Sequence, residues 1–245
     1  MSFDDLKKLH QKKHREEQGA YLVEGEHLVL ELQKAAARDP RLRASELYVT
    51  HEHADWRSPF PLHVINSRQM AQLSETRTPQ GLVARVPILP PAAPRAGERA
   101  ICLHEVQDPG NLGTILRSLA WFGGFRCLLT PGSVDPYNGK VIRASAGAVF
   151  HVPFETEVPL QAVAARYPRI ASLDVQGEPL SSPRFAEFDC YLFGNEARGL
   201  PDGAPAVPAI SAFTIAGSET IESLNLATAV SICLYELQRP TSVPG

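Results

Sequence analysis

Three loops in the second half of the chain carry residue types that together could bind a ligand. They are residues 108–113 with Arg117 behind them, residues 193–200, and residues 223–225. Each contains glycine or asparagine and follows an apolar stretch that predicts a β-strand. Because open α/β sheets bind ligands at the carboxyl ends of their strands, the three loops predict one composite site.

The first loop places an asparagine and an arginine on one predicted helix. Arg117 lies six residues after Asn111 and within two turns of the helix start, so both side chains could face the same pocket mouth. Taken alone, such an arginine is more often half of a surface ion pair, which contributes little to stability. Singly, therefore, each loop is a weak indication, and the order of all three is the informative feature.

That order resembles the three signature motifs of the SpoU branch of the SPOUT RNA methyltransferases, the TrmH family. The family pattern is an Asn and an Arg separated by five residues, then Gly-x-Glu-x-x-Gly, then Ser-x-Asn opening the last helix. This chain matches it with Asn111, Arg117, Gly194, Glu196, Gly199, Ser223 and Asn225. The resemblance covers roughly residues 100–239. It implies a ribose 2′-O-methyltransferase that uses S-adenosylmethionine on structured RNA.

The resemblance also implies roles for these side chains. Arg117 would be the catalytic residue, but a guanidinium pKa of about 12.5 or above makes it a poor proton acceptor at neutral pH. We therefore expect it to bind the flanking phosphate and stabilise developing alkoxide charge, which leaves the proton acceptor open. Glu196 would orient Asn111 or a neighbouring donor. Ser223 would cap the last helix and Asn225 would contact ribose or backbone.

The cofactor would be held mainly by backbone of the second and third loops. Glycine lets a backbone approach a ligand closely, and loop amides and carbonyls can bond its polar groups. Without the resemblance, the simpler interpretation is that these glycines only end strands. The residues predicted to bind the cofactor are Phe193, Gly194, Asn195, Gly199, Ile215, Gly217 and Leu224.

Charge is unevenly distributed along the chain. A formal net charge of −3 argues mildly against an RNA-binding protein, because phosphate neutralisation needs clustered Lys and Arg. A basic arm near the start offers such a cluster, with a solvated helix face as the alternative. The predicted RNA-binding residues are Lys7, Lys8, Lys12, Lys13 and Arg15 of this arm, together with Lys140 and Arg143.

Residues 91–99 form a Pro-rich linker between two predicted domains. Residues 1–90 alternate short strand and helix patterns, which predicts a small α/β sandwich. The phrases at residues 21–25 and 78–84 resemble the RNA substrate-binding domain that precedes many SpoU catalytic domains. Residues 100–245 would be the methyltransferase domain.

The predicted elements of that domain alternate strand and helix. Strands are expected at 101–106, 126–130, 169–173, 190–193 and 213–216, and helices at 112–122, 139–145, 160–167 and 224–237. This alternation predicts a Rossmann-like parallel sheet with helices on both faces. The rarity of knots would argue for an ordinary open sheet. The resemblance instead implies a deep trefoil knot, and a homodimer packed through the knotted domain.

Composition and motifs exclude several other classes. Hydrophobic content of 44% and charged content of 21% are typical of a globular protein. No apolar stretch is long enough to cross a bilayer and the start lacks a signal-peptide core, so a cytoplasmic protein is expected. Four separated cysteines and His51-Glu52-His53 lack the spacing of a metal site. The G-x-G-x-x-G motif of dinucleotide-binding enzymes is absent after the first strand of this domain.

The leading hypothesis is methylation of a ribose 2′-hydroxyl in large-subunit (23S) ribosomal RNA, because the predicted N-terminal domain accompanies such members. A transfer-RNA methyltransferase of the same family is the alternative. A non-catalytic knotted RNA-binding or ribosome-assembly protein is a hypothesis from another class, which the complete set of motif residues argues against.

Overall fold

A computed structural model describes residues 2–195, 198–200, 210–218, 220 and 223–239 of the chain. The strands are β1 (Ala20–Glu24), β2 (Glu46–Val49), β3 (Leu62–Val64), β4 (Leu82–Pro87), β5 (Arg99–Leu103), β6 (Phe125–Leu129), β7 (Phe154–Glu155), β8 (Ile170–Pro179), β9 (Cys190–Phe193) and β10 (Ile210–Thr214). The α-helices are α1 (Phe3–Lys8), α2 (Lys12–Gln18), α3 (Glu26–Arg38), α4 (Ser67–Leu73), α5 (Pro109–Phe122), α6 (Gly139–Ser145), α7 (Leu160–Arg166) and α8 (Leu226–Gln238).

The chain forms two compact units. Unit 1 comprises Met1–Pro90 and Asp135–His151, and unit 2 comprises Pro91–Val134 and Val152–Gly245. Unit 1 contains a four-stranded sheet in the order β1-β4-β2-β3, in which β4 is antiparallel to β1 and β2. Strand β3 pairs parallel with β2.

Both faces of this sheet are covered, because successive side chains of a strand point to opposite faces. Ala84 of β4 packs in the core that includes Val29 and Leu32 of α3. Its neighbour Val83 packs in a second core, with Leu6 of α1 and Met70 of α4. Before the sheet begins, residues 3–18 form the two separate helices α1 and α2, and β1 follows them directly.

Residues 135–151 pack with unit 1, which differs from the domain division predicted by the sequence. Ile142 of α6 lies in the same core as α3, and the rings of Tyr21 and Tyr137 are 4.7 Å apart. Arg15 is only 4% exposed and donates from Nε to Asp135 Oδ2 over 2.9 Å. The predicted domain of residues 100–245 is therefore interrupted by a segment that completes the first unit.

The same contacts correct one predicted RNA-binding residue. Besides its ion pair with Asp135, Arg15 donates from Nη1 to the carbonyls of Leu9 and His10, both over 2.8 Å. A guanidinium this deeply buried has its donors committed to the protein interior. Arg15 therefore stabilises the turn between α1 and α2 and is not placed to contact phosphate.

Unit 2 contains a six-stranded sheet in the order β10-β8-β9-β5-β6-β7. Every pair of neighbouring strands in it is parallel. This confirms the predicted α/β fold with a parallel sheet, to which the structure adds the short edge strand β7. Parallel strands end at one edge of a sheet, so the loops after β5, β9 and β10 all leave from the same edge.

The Pro-rich residues 91–99 pack within unit 2, where a buried arginine holds them. Arg126 of β6 is 1% exposed and donates to the carbonyl of Ala92 over 2.8 Å and to Glu98 over 3.0 Å. It also donates to Glu155 over 3.2 Å, and Glu155 accepts from Arg166 over 2.7 Å. This segment is therefore a fixed part of unit 2.

No helix in the described part of the chain has the length and apolarity to cross a membrane. Within the same residues, His, Cys, Asp and Glu side chains form no group of three or more that could hold a metal ion. Cys102, Cys127, Cys190 and Cys233 are all buried as free thiols. Burial raises the pKa of the Cys102 thiol to about 12, so this thiol stays protonated at neutral pH.

Candidate active site

Helix α5 fixes the first motif through its own N-terminus. Asp108 is the N-cap and its carboxylate accepts from the backbone N–H of Asn111 over 2.7 Å, with Pro109 at the first helical position. Asn111 is half-buried, while Arg117 is exposed, about 9 Å further along the helix axis. The cap thus fixes the backbone at Asn111, and the Arg117 side chain is exposed two turns further along.

Helix α8 brings the third motif to the first. The Asn225 side chain caps this helix by accepting from the N–H groups of Ala227 and Thr228, over 2.9 and 3.3 Å. Its amide nitrogen donates to Asn111 Oδ1 over 2.8 Å. The sequence had predicted Ser223 as the cap, but the helix starts at Leu226 and Asn225 takes that place. Ser223 is exposed in the preceding loop.

Contacts along α5 and α8 keep the two motifs together. The hydroxyls of Ser118 and Ser231 are 2.9 Å apart, midway along the helices. Near the end of α8, Gln238 donates to the carbonyl of Gly123 over 3.3 Å. The Asn225–Asn111 bond therefore joins the N-terminal ends of two helices that also contact each other further along.

The second motif follows β9, where Phe193 is buried. Asn195 and Gly199 exchange two backbone hydrogen bonds of 2.9 Å, and Gly199 has a φ of +65°. A Cβ on Gly194 would collide with the carbonyl carbon of Gly199, so glycine is required for this close turn. Glu196, the predicted orienting carboxylate, lies outside the described residues.

Sequence patterns did not single out Glu105, which lies just after β5 and contacts the second motif. Its carbonyl accepts from Asn195 Nδ2 over 2.8 Å, and its carboxylate pairs with Arg198. Glu105 has a φ of +49°, in the left-handed region that favours glycine. No local pattern marks a glutamate in that conformation, so the sequence alone carried no signal for it.

The remaining residues predicted to bind the cofactor lie between the carboxyl end of β10 and the start of α8. Ile215 is half-buried directly after β10, and Gly217 is exposed with open space where a Cβ would point. Leu224 is an exposed apolar side chain beside the cap of α8. The structure therefore provides exposed backbone and apolar surface at this edge of the sheet, which suits a ligand with both polar and apolar parts.

The predicted RNA-binding residues of unit 1 are mostly paired with acids. The arm's ion pairs are Lys7–Asp4, Lys8–Asp5, Lys12–Glu16 and Lys13–Glu17, at 2.7, 3.0, 3.6 and 3.8 Å. Lys140 is exposed on α6. Arg143 pairs with Glu75 over 3.1 Å, and hydrogen bonds from His10 and Arg143 lower the pKa of Glu75 to about 2.

Comparison with known proteins agrees with this geometry. The sequence profile described as the SpoU rRNA Methylase family matches residues 98–235, more than half of the chain. The chain belongs to the SpoU rRNA methylase family. A second profile, the MRM3-like substrate binding domain, matches residues 4–84. These matches confirm the family and the enzyme class predicted from the three loops, an RNA methyltransferase.

Several known proteins align with nearly the whole chain. The 23S rRNA (guanosine(2553)-2′-O)-methyltransferase RlmP of Bacillus subtilis is 30% identical over 241 residues, which cover 96% of this chain and 94% of RlmP. An RNA methyltransferase of the TrmH family from Porphyromonas gingivalis has a TM-score of 0.82 at 29% identity, covering 97% and 96%. An AdoMet-bound rRNA methyltransferase from Sinorhizobium meliloti has a TM-score of 0.79 at 25% identity, covering 98% and 95%.

Asn225 makes two kinds of hydrogen bond that substitutions can separate. In Asn225→Asp, the carboxylate still caps α8 but cannot donate to Asn111. We expect methyl transfer to fall about 3- to 10-fold, the size of one lost hydrogen bond, and the melting temperature to fall by no more than about 2–6 °C. Asn225→Ala also loses the cap and should cost about 1 kcal/mol of stability. Wild-type turnover in Asn225→Asp, measured with labelled cofactor, would contradict the role of the Asn111 bond.

Proposed function

We propose that this SpoU-family enzyme transfers a methyl group from S-adenosylmethionine to a ribose 2′-hydroxyl of large-subunit rRNA. The observation that carries the proposal is the hydrogen bond between Asn225 and Asn111, which joins the third motif to the helix that carries the exposed Arg117. The name of RlmP, which aligns over nearly the whole chain, supports the rRNA substrate and the 2′-O position.

The loops after β9 and β10 fit S-adenosylmethionine. The turn at Gly194 excludes any side chain, Gly217 leaves its backbone open, and Leu224 offers apolar surface. Such a surface suits a ligand with an adenine ring and polar amino-acid and ribose groups. The bound cofactor supplies the electrophilic methyl group. The residues that would hold the cofactor are Phe193, Gly194, Asn195, Gly199, Ile215, Gly217 and Leu224.

The protein's contribution is mainly to position the acceptor. In-line methyl transfer needs an aligned nucleophile, and good alignment can contribute up to about 7–11 kcal/mol. Arg117 binds the phosphate next to the target nucleotide and stabilises negative charge on the 2′-oxygen. Asn111 and Asn225 hold the ribose side of the site, with Ser223 and Glu196 as further motif residues. Unit 1 holds the RNA during this step.

The test is methylation of defined RNA by the full-length protein. Large-subunit rRNA and tRNA transcripts are incubated separately with labelled cofactor, and the modified nucleotide is mapped by its resistance to alkaline cleavage. We expect a single 2′-O-methyl site in the large-subunit transcript. Methylation of tRNA alone would replace the proposed substrate, and transfer to a base would overturn the 2′-O assignment.

We further propose that the enzyme works in the cytoplasm as a homodimer with a trefoil knot in its catalytic unit. The loops that would thread the knot include residues 196, 197, 201–209, 219, 221 and 222, which are outside the described part. Support for the dimer comes from α5 and α8. Val230, Cys233 and Leu234 of α8 are buried within unit 2, while Trp121 of α5, 84% exposed, and Ile232 and Tyr235 of α8 present apolar surface.

The dimer should dissociate when this surface is charged. We expect light scattering to show the double variant Trp121→Glu/Tyr235→Glu as a monomer at micromolar concentration, because each change places a carboxylate in an apolar contact. Val175→Glu is the matched control, since Val175 of β8 is 69% exposed and lies on a different element. A monomeric wild type with full activity would refute the dimer.

The arm lysines should contribute to RNA affinity in a salt-dependent way. Replacing Lys7, Lys8, Lys12 and Lys13 with Gln removes cations that are each paired with an acid in the free protein. Removing one lysine–phosphate interaction lowers the salt slope by about 0.9, so we expect a decrease of about two to four. Lys140→Gln provides a single-charge comparison. An unchanged slope in filter-binding titrations would restrict the arm to a structural role.

A further inference from the structure

We infer that Glu105 is a positioning residue for the proposed cofactor site, acting through Asn195 and Arg198 of the loop after β9. The inference rests on the proposed function, since it assumes that this loop binds S-adenosylmethionine. It concerns a residue outside the three family motifs.

The backbone of Glu105 connects the ends of three neighbouring strands. Its N–H donates to Thr130 Oγ1, after β6, over 2.9 Å. Its carbonyl accepts from Asn195 Nδ2, after β9, over 2.8 Å. Gln107 Nε2 donates to the same carbonyl over 3.2 Å and to the carbonyl of Gly132 over 2.5 Å. The turn after β5 is therefore tied to both neighbouring strands.

The side chain of Glu105 contacts the same loop at a second point, through an ion pair with Arg198 that we call the brace. Its carboxylate pairs with the guanidinium of Arg198, whose backbone N–H donates to Asn195 Oδ1 over 3.1 Å. Asn195 and Gly199 are themselves joined by two backbone hydrogen bonds. Glu105 thus contacts the loop twice: its backbone carbonyl binds Asn195 and its carboxylate binds Arg198. In the sequence, these two residues lie on either side of Glu196.

The backbone conformation of Glu105 indicates that its carboxylate has a role that glycine could not fill. A φ of +49° suits glycine and is unfavourable for glutamate, so glycine would form this turn with less strain. A glutamate here retains the backbone contacts that glycine would also make and adds the ion pair to Arg198. The feature that distinguishes it from glycine is therefore the brace on the cofactor loop.

Glu105→Gly separates this role from folding, because it relieves the left-handed strain and removes only the brace. Arg198→Met removes the other half of the pair. Glu157 is a matched control, being a glutamate with a φ of +56° just after β7, which lies at the sheet edge opposite β10. Glu157→Gly gains the same conformational freedom at a position that follows β7 instead of β5.

Two measurements on the full-length protein test the inference. Amide hydrogen exchange without ligand should be about 3- to 5-fold faster at Asn195 and Gly199 in Glu105→Gly and Arg198→Met, the effect of an ion pair whose arginine is 70% exposed. Calorimetry should show a similar loss of S-adenosylmethionine affinity. The KM for the cofactor should rise while kcat changes little. The double variant should bind the cofactor no more weakly than the single variant that has the lower affinity.

The outcomes distinguish the two proposals. Unchanged exchange at both amides in a folded Glu105→Gly variant overturns the positioning role. Additive losses in the double variant overturn the pairing with Arg198. If exchange changes as expected but the wild type binds no S-adenosylmethionine, the brace stands and the proposed cofactor site falls.

Discussion

Arg117→Ala should reduce methyl transfer by about 10²- to 10³-fold while leaving S-adenosylmethionine affinity within a few fold. The size follows from losing one preorganised donor to charge that develops in the transition state. Cofactor affinity should hold because Arg117 is exposed on α5, whereas the proposed cofactor loops follow β9 and β10. Single-turnover rates with excess enzyme, together with calorimetry for the cofactor, measure the two effects separately.

Two further variants sharpen this test. Arg117→Lys keeps the charge but lacks the planar fork that binds phosphate bidentately, so it should recover little activity. Arg169→Ala is a matched control, because Arg169 is an exposed arginine that precedes β8, at the opposite edge of the sheet from the motif loops. Near-normal turnover in either Arg117 variant would exclude the role assigned to it.

Arg126→Met should destabilise unit 2 by about 3–5 kcal/mol, because it leaves the buried Glu98 carboxylate without its partner. For a chain of this length, that corresponds to a melting temperature lower by about 6–20 °C. Arg126 also holds the carbonyl of Ala92, so the Pro-rich segment should become more accessible to protease. Calorimetric melting and limited proteolysis provide the two measurements.

Arg166→Met is the control for this network, since Arg166 pairs with the same Glu155 but is 39% exposed. It should cost no more than about 1 kcal/mol, the value of an exposed ion pair. Combining Arg126→Met with Glu98→Gln should recover part of the loss, because the uncompensated carboxylate is then neutral. Equal destabilisation by the two arginine variants would show that burial does not determine how much Arg126 contributes to stability.

Local patterns explain why so much of unit 2 was predictable. Short apolar stretches bounded by glycine, proline and asparagine define β5, β6 and β9 within a few residues of their observed bounds. Their alternation with helices leaves a parallel sheet as the natural arrangement, which then places every following loop at one edge. Motif spacing within those loops was enough to indicate the family and the enzyme class.

Contacts between distant segments explain what was not predictable. Arg15 looked like part of a basic arm, and only its burial against Asp135, 120 residues away, shows that it is structural. Ser223 looked like a helix cap because its residue type fits. The helix starts three residues later, where Asn225 both caps α8 and reaches Asn111.

The sequence by itself therefore determined the order and type of the main elements, the parallel sheet and the residues of the three motifs, because each follows from patterns a few residues long. Tertiary structure alone decided that residues 135–151 complete unit 1, that Arg126 fixes the Pro-rich segment, and that Glu105 connects three strand ends. These features depend on which buried charge or carbonyl finds a partner across the fold. Such pairing is set by three-dimensional proximity, and it leaves no periodic trace in the chain.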